Sequence, residues 1–130
     1  DIDFKQALMH TAAMTVAMAL SLLEKNDLTP QRGPVLVTGA TGGIGSLAVS
    51  LLSRRGYTVA ASTGKPDAGG YLRQLGASKI LSRKETSAES TQPLEAERWA
   101  GSIDNVGGAT LAYLMRTTKK DGAIAAVGVS

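Results

Sequence analysis

The residues whose types and spacing could do chemistry lie in one run, Pro34-Val35-Leu36-Val37-Thr38-Gly39-Ala40-Thr41-Gly42-Gly43-Ile44-Gly45. Gly39, Gly42 and Gly45 give G-x-x-G-x-x-G, and the same stretch fits T-G-x-x-x-G-x-G from Thr38 through Gly43 to Gly45. The apolar residues 35–37 ahead of the glycines read as a buried strand, and 46–52 behind them open a helical pattern. A glycine turn between strand and helix lets the backbone approach a pyrophosphate closely. The unpaired amides and positive dipole end of the helix then hold its oxygens. Gly39, Thr41, Gly42, Gly43, Ile44 and Gly45 are therefore candidate phosphate-binding residues, with Gly45 also allowing close contact between helix and strand. The plainer alternative is a tight strand-to-helix turn without a ligand.

The residues just past the next strand, 57–62, decide which dinucleotide fits. An NAD site places an acid about 20 residues past the glycines, on the ribose 2′-hydroxyl. Here the strand runs out as Ser62-Thr63-Gly64-Lys65, two hydroxyls and a lysine with no acid. A carboxylate would repel a 2′-phosphate, whereas Lys65 and the hydroxyls would bind one. NADP(H) is the expected cofactor, and Asp67, slightly beyond, keeps NAD as the alternative. Arg83, just past a third strand at 79–81, stands on the edge where ligands gather in such sheets; it reaches the same phosphate or is a plain surface arginine.

Other chemistries lack their residues. There is no G-x-S-x-G elbow, and Gly45-Ser46-Leu47 does not continue as the lysine of a phosphate-transfer loop. Four residues after Tyr57, Tyr71 and Tyr113 stand Ala61, Leu75 and Thr117, so the Tyr/Lys pair of a short-chain dehydrogenase is missing. With no cysteine and one histidine, His10, a zinc site of the usual Cys/His type is excluded within this chain. His10 reads as a helix-face residue.

The elements that must position the glycine run emerge from composition and pattern. A chain of 130 residues, 43% hydrophobic and 19% charged, makes one domain with a real core. One Phe, one Trp and three Tyr leave the core to Ala, Val, Leu and Ile, which suits a parallel sheet buried on both faces. The net charge of +3 is scattered, with no basic stripe for nucleic acid; it could attract an anionic cofactor. Residues 9–23 are strongly apolar but read as too short, and too interrupted by His10, Thr11, Thr15 and Ser21, to span a bilayer. No basic segment precedes them as in a signal peptide, and a cytoplasmic protein is expected. Beginning at Asp1 rather than Met, the chain reads as a piece of something longer.

A first helix is expected over 1–25, capped by Asp3 and buried on more than one side in its second half. The helix after the glycines runs to about Arg55 with Gly56 as its stop, and a short helix covers 66–75, with Gly76 after it. Residues 82–93 read as a polar irregular loop, and 94–100 as a helical turn carrying Trp99. A fourth strand covers 102–106, a helix runs from Ala109 to Lys119-Lys120, and a fifth strand covers 123–127. This alternation predicts an α/β, Rossmann-type doubly wound parallel sheet of order 3-2-1-4-5 with helices on both faces. The open edge beside the fifth strand calls for a missing strand or a partner, such as a second copy in a homodimer.

Thr11-Ala12-Ala13-Met14-Thr15, the run from Pro34 to Gly45, Gly56-Tyr57, Ser62-Thr63-Gly64-Lys65, Leu75-Gly76-Ala77-Ser78, Trp99-Ala100-Gly101-Ser102-Ile103-Asp104 and Val106-Gly107-Gly108 together resemble the medium-chain dehydrogenase/reductase superfamily. Within it they look like the zinc-free branch of acrylyl-CoA reductases and quinone-oxidoreductase-like proteins. The likeness covers nearly the whole chain but only the cofactor half of that fold. It implies NADPH-dependent reduction of an activated carbon–carbon double bond, in acrylyl-CoA or a similar enoyl thioester, or more loosely in a quinone-type enone. By position, Thr41 to Ile44 would meet the pyrophosphate, Thr63, Gly64, Lys65 and Arg83 the 2′-phosphate, and Val129 would lie by the nicotinamide. Substrate and general acid would belong to a separate catalytic domain. His10, Ala13, Met14, Gly69-Gly70 and a stretched loop at 87–92 depart from the pattern. A non-enzymatic NADP-binding sensor stays open as the alternative of another class.

Overall fold

Valine and leucine on a buried strand set the centre of the molecule. The computed structural model describes residues 3–87 and 98–127. Helix α1 (Phe4–Lys25) and a 3₁₀ turn (Pro30–Arg32) lead into strand β1 (Val35–Val37), all three of whose residues are buried. Then come α2 (Gly43–Arg54), β2 (Val59–Thr63), α3 (Gly69–Leu75), β3 (Lys79–Ser82), α4 (Arg83–Ser87), β4 (Trp99–Asp104), α5 (Gly108–Thr117) and β5 (Thr118–Ala126). The strands form one parallel sheet in the expected order, β3-β2-β1-β4-β5. Alternating strand residues feed two cores. Val35, Val37, Val59, Ala61 and Ile103 pack with Val16, Leu20 and Leu23 of α1 and Val49 and Leu52 of α2. Leu36, Ala60 and Leu81 pack on the other side with Trp99 and with Tyr113 and Leu114 of α5.

Several boundaries differ from the sequence reading. Trp99 and Ala100 belong to β4, not to a helical turn, because the neighbouring strands capture them: Arg98 N–H donates to Thr117 O at 2.7 Å and Ala100 N–H to Pro34 O at 2.8 Å. A register shift between Trp99 and Gly101 sends Trp99 to the α5 side and Ala100 to the α1 side. The same ladder pairs Thr118 with Trp99, so α5 stops at Thr117 and β5 starts well before residue 123. α3 begins at Gly69 rather than Pro66, since 66–68 form the turn closed by Ala68 N–H on Lys65 O. Residues 83–87 are helical where a loop was expected. Ser82 and Glu85 cap this turn reciprocally, Ser82 N–H donating to Glu85 Oε2 at 2.7 Å and Glu85 N–H to Ser82 Oγ at 3.1 Å. These bonds hold the Glu85 carboxyl below the usual glutamate range. The remainder of the expected loop, including most of 87–92, and residues 94–97 of the expected turn lie outside the described residues.

α1 departs from expectation at both ends. Asp3 stands at its N-cap without a side-chain cap bond. Only one stripe of its second half is buried, with Met18 and Leu22 left 64% and 58% exposed. The 22-residue helix, with an 18-residue window of mean hydropathy 1.4, is longer than the apolar stretch read from sequence and meets the length and composition of a membrane span. Here Val16, Ala19, Leu20 and Leu23 pack it into the core.

The link from α1 to β2 is polar. Tyr57 Oη donates to Glu24 Oε2 at 2.8 Å and lies 3.3 Å from Leu28 O, while Arg55 pairs with Glu24 at 2.8 Å. Burial, then the Glu24 hydrogen bond and charge, push the Tyr57 hydroxyl from 10.0 up to about 12. A raised folded value means stability that is complete below the unfolded value and is lost as pH rises through the folded one. Tyr57→Phe is expected to cost about 1 kcal/mol near neutral pH in denaturant unfolding. That deficit should shrink as pH climbs from 10.0 to about 12; a deficit constant over this interval would show that the hydroxyl is not held this way.

Candidate functional site

A cleft of about 560 Å³ opens at the carboxyl edge of the sheet. This is the switch point, where connections from β1 and β4 leave in opposite directions. Gly39, Thr41, Gly42, Gly43, Ile44 and Gly45 line it after β1, Lys65 after β2, Arg83 after β3, Asn105 and Val106 after β4, and Val127 after β5. Eight of the residues nominated from sequence are thus brought together. Thr63 stands behind them, its Oγ1 3.4 Å from Thr41 Oγ1 and accepting Lys65 N–H at 3.0 Å. Gly64 is exposed and covered by Arg83: a Cβ there would stand 3.2 Å from Arg83 Cζ. Ser62 lies outside the cleft, because successive strand residues face opposite sides. It is 2% exposed and its Oγ is 2.9 Å from Thr86 Oγ1. Val129 lies outside the described residues. Asn105, Val106 and Val127 were missed, although the strand-end rule that nominated Arg83 applies equally to β4 and β5.

The glycines divide by role. Gly39 adopts φ +60°, a left-handed conformation, with room for a Cβ only 3.0 Å from Asn105 Cβ. Gly45 is required by close approach: a Cβ would collide with the Gly39 carbonyl oxygen and stand 2.8 Å from Ala40 Cα. Gly43 is different, since nothing lies within 4 Å of the place its Cβ would take. The protein's own packing does not ask for glycine there. The first helical hydrogen bond of α2 is Ser46 N–H to Gly42 O at 2.8 Å, so the amides of Gly43, Ile44 and Gly45 precede it and have no partner within the helix.

Behind the cleft, Thr38 and Asp104 are buried, 0% and 1% exposed. Thr38 Oγ1 donates to Asp104 Oδ1 at 2.5 Å and accepts Asn105 N–H at 3.0 Å. Asn105 Nδ2 donates to Thr38 O at 2.9 Å. Asp104 also accepts Val106 N–H on Oδ1 at 3.1 Å and Gly107 N–H on Oδ2 at 2.9 Å.

Among the described residues Lys65 and Arg83 are the charged ones of the lining, and no carboxylate is among them. Asp67, the acid of the NAD alternative, is exposed and does not line the cleft. Thr11 and Thr15 turn their hydroxyls back onto the helix carbonyls of Ala7 and Thr11, at 3.0 and 2.9 Å.

Residues 43–130 match the family described as zinc-binding dehydrogenase. The chain is 47% identical over 130 residues to the acrylyl-CoA reductase AcuI of Ruegeria pomeroyi, covering 99% of this chain and 39% of that protein. It is 44% identical over 131 residues to YhfP of Bacillus subtilis, named as a candidate quinone oxidoreductase, covering 100% of this chain and 40% of that protein. The crystal structure of Bacillus subtilis yhfP with NAD bound superposes with a TM-score of 0.88 at 44% identity, over 98% of this chain and 39% of that one. The yhdH oxidoreductase from Salmonella enterica in complex with NADP gives a TM-score of 0.88 at 45% identity, over 98% of this chain and 39% of that one. The chain therefore spans about two fifths of the length of these relatives. A zinc ion does not fit the residues present. There is no cysteine, His10 is exposed, and among the described residues no three metal-ligating side chains gather.

Gly45→Ala should destabilise the fold by about 1–3 kcal/mol through overpacking against the β1 turn. Gly43→Ala, at an open helix start, should leave unfolding unchanged within about 0.5 kcal/mol. Denaturant unfolding of both variants decides; equal losses would sink this division of roles.

Proposed function

The chain belongs to the zinc-binding dehydrogenase family, in the zinc-free branch of the medium-chain dehydrogenase/reductase superfamily, and on that premise we propose that it is the NADPH-binding part of a cytoplasmic reductase of activated carbon–carbon double bonds. The observation that carries the cofactor is Gly43. It faces open space at the start of a helix, beside two cations and no carboxylate, which suits a phosphate-rich ligand. The amides of Gly43, Ile44 and Gly45, with Gly42 and Thr41 beside them, hold the pyrophosphate. Lys65 and Arg83 hold the 2′-phosphate over Gly64, with Thr63 fixing the Lys65 backbone. Ser62 supports α4 through Thr86 rather than touching the ligand.

The substrate class comes from the relatives. The Ruegeria pomeroyi relative is named for acrylyl-CoA, which favours an enoyl thioester; the name of YhfP keeps a quinone or enone as second reading. Bound NADPH would supply hydride to the β-carbon while the α-carbon takes a proton. This chain's residues bind and orient, and a second domain supplies the substrate pocket and the proton. That domain would cover the apolar residues α1 leaves exposed, among them Phe4, Leu8, Met9 and Met14. A homodimer of the full-length protein fits the open edge of β5.

Titration by cofactor fluorescence tests the reading. NADPH should bind more tightly than NADH, and Lys65→Ala should weaken NADPH by about tenfold while leaving NADH unchanged. Equal affinities would favour NAD or a promiscuous site, as the yhfP complex with NAD illustrates. Loss of both cofactors alike in Lys65→Ala would mean that the lysine supports the loop and does not read the 2′-phosphate. The 130-residue chain alone should not oxidise NADPH with acrylyl-CoA; steady turnover would remove the need for a second domain.

A further inference from the structure

The walls of the cleft belong to different strands, and the sheet ladder does not reach them. The pairing of β1 with β4 ends at Val37 opposite Ile103, with a last backbone bond from Thr38 N–H to Ile103 O at 3.0 Å. Beyond it the walls at 39–45 and 105–106 are joined through Thr38, Asp104 and Asn105. We propose that Thr38 and Asp104 are positioning residues for nucleotide binding, a buried latch that fixes the separation of the two walls. The proposal rests on the NADPH reading above.

Chemistry accounts for both residue types. The Thr38 hydroxyl donates to Asp104 and accepts from the Asn105 amide. Valine, of the same shape, can do neither, and serine can do both. Asp104 uses both carboxylate oxygens as acceptors, Oδ1 for Thr38 and Val106 and Oδ2 for Gly107. An asparagine with its carbonyl in the Oδ1 place would set its NH₂ against Gly107 N–H. The bonds to Val106 and Gly107 alone would be an ordinary local turn built on an aspartate. The bond to Thr38, 66 residues away, is what that turn does not need and the cleft does. Clearance is small: a Cβ on Gly39 would stand 3.0 Å from Asn105 Cβ and 3.3 Å from Val106 Cγ2. A slip of about 1 Å between walls is enough to spoil a positioned ligand.

The test compares the chain with Thr38→Val, Thr38→Ser and Asp104→Asn by amide hydrogen exchange, NADPH titration and thermal unfolding. In Thr38→Val, exchange at Asn105, Val106 and Gly107 should quicken by about tenfold relative to amides of β2, and NADPH should bind about tenfold more weakly. Thr38→Ser should restore both to within about twofold, and Asp104→Asn should weaken NADPH as Thr38→Val does. A folded Thr38→Val that binds NADPH like the parent overturns the latch, as does a folded Thr38→Ser that binds no better than Thr38→Val. Should Thr38→Val not fold, a folded Asp104→Asn with parental NADPH affinity overturns it instead. Failure of the parent chain to bind NADPH overturns the nucleotide reading, and the latch proposal with it; that outcome is separate, because it appears before any variant is made.

Discussion

Residue 45 can carry no side chain, and much of the molecule depends on that. The first turn of α2 lies directly against the Gly39 carbonyl and the Ala40 backbone. This close approach brings the amides of residues 43–45 over the gap between β1 and β4. It also sets the helix height at which Ala48, Val49 and Leu52, all fully buried, meet Val35, Val37 and Val59. One contact therefore fixes a core and a site together. A dense interior transmits a shift at the turn to both.

The sheet meets this constraint with small residues. Ala60 and Ala61 of β2, Ala100 and Gly101 of β4 and Ala125 of β5 let helices lie close on either face. A Cβ on Gly101 would stand 3.2 Å from Leu28 Cδ1, beneath the loop that joins α1 to β1. With few aromatics, the two cores gain their apolar contact from close fit and not from bulk. The bulge at Trp99 then lets the single tryptophan fill the α5 side while its neighbour Ala100 serves the other.

The features that could be read from the sequence divide along the same line. Strand order came from the alternation of apolar runs and helices, and the helix stops at Gly56 and Gly76 carry their own signal, since both adopt positive φ, +90° and +120°. Gly45 was legible for the same reason: its cause is local, in a turn of seven residues. The starts of β4 and β5 were not, because the bonds that define them run to Pro34 and Thr117 in other elements. Ser62 was assigned to the cleft because a strand end alone does not say which of two successive side chains faces the ligand. The Ser82–Glu85 capping pair went unread, because five helical residues show no periodicity to join it to. Thr38 and Asp104 each stood in a quoted run, but their pairing left no pattern, their bond being a matter of tertiary register.

Three carboxylates of the described residues hold the frame. Glu24 is committed to Arg55 and Tyr57, Glu85 to Ser82, and Asp104 to Thr38, Val106 and Gly107. Each of these carboxylates is tied down away from the opening. Around the opening stand the amino end of α2, Lys65 and Arg83, supplied by the ends of three different strands. Their fields add in one direction, with no acid among the described residues of the lining to oppose them. A fold that merely needed a tight turn would have no reason to gather cations at an open helix start with no described acid in the lining, and that placement favours an anion in this space.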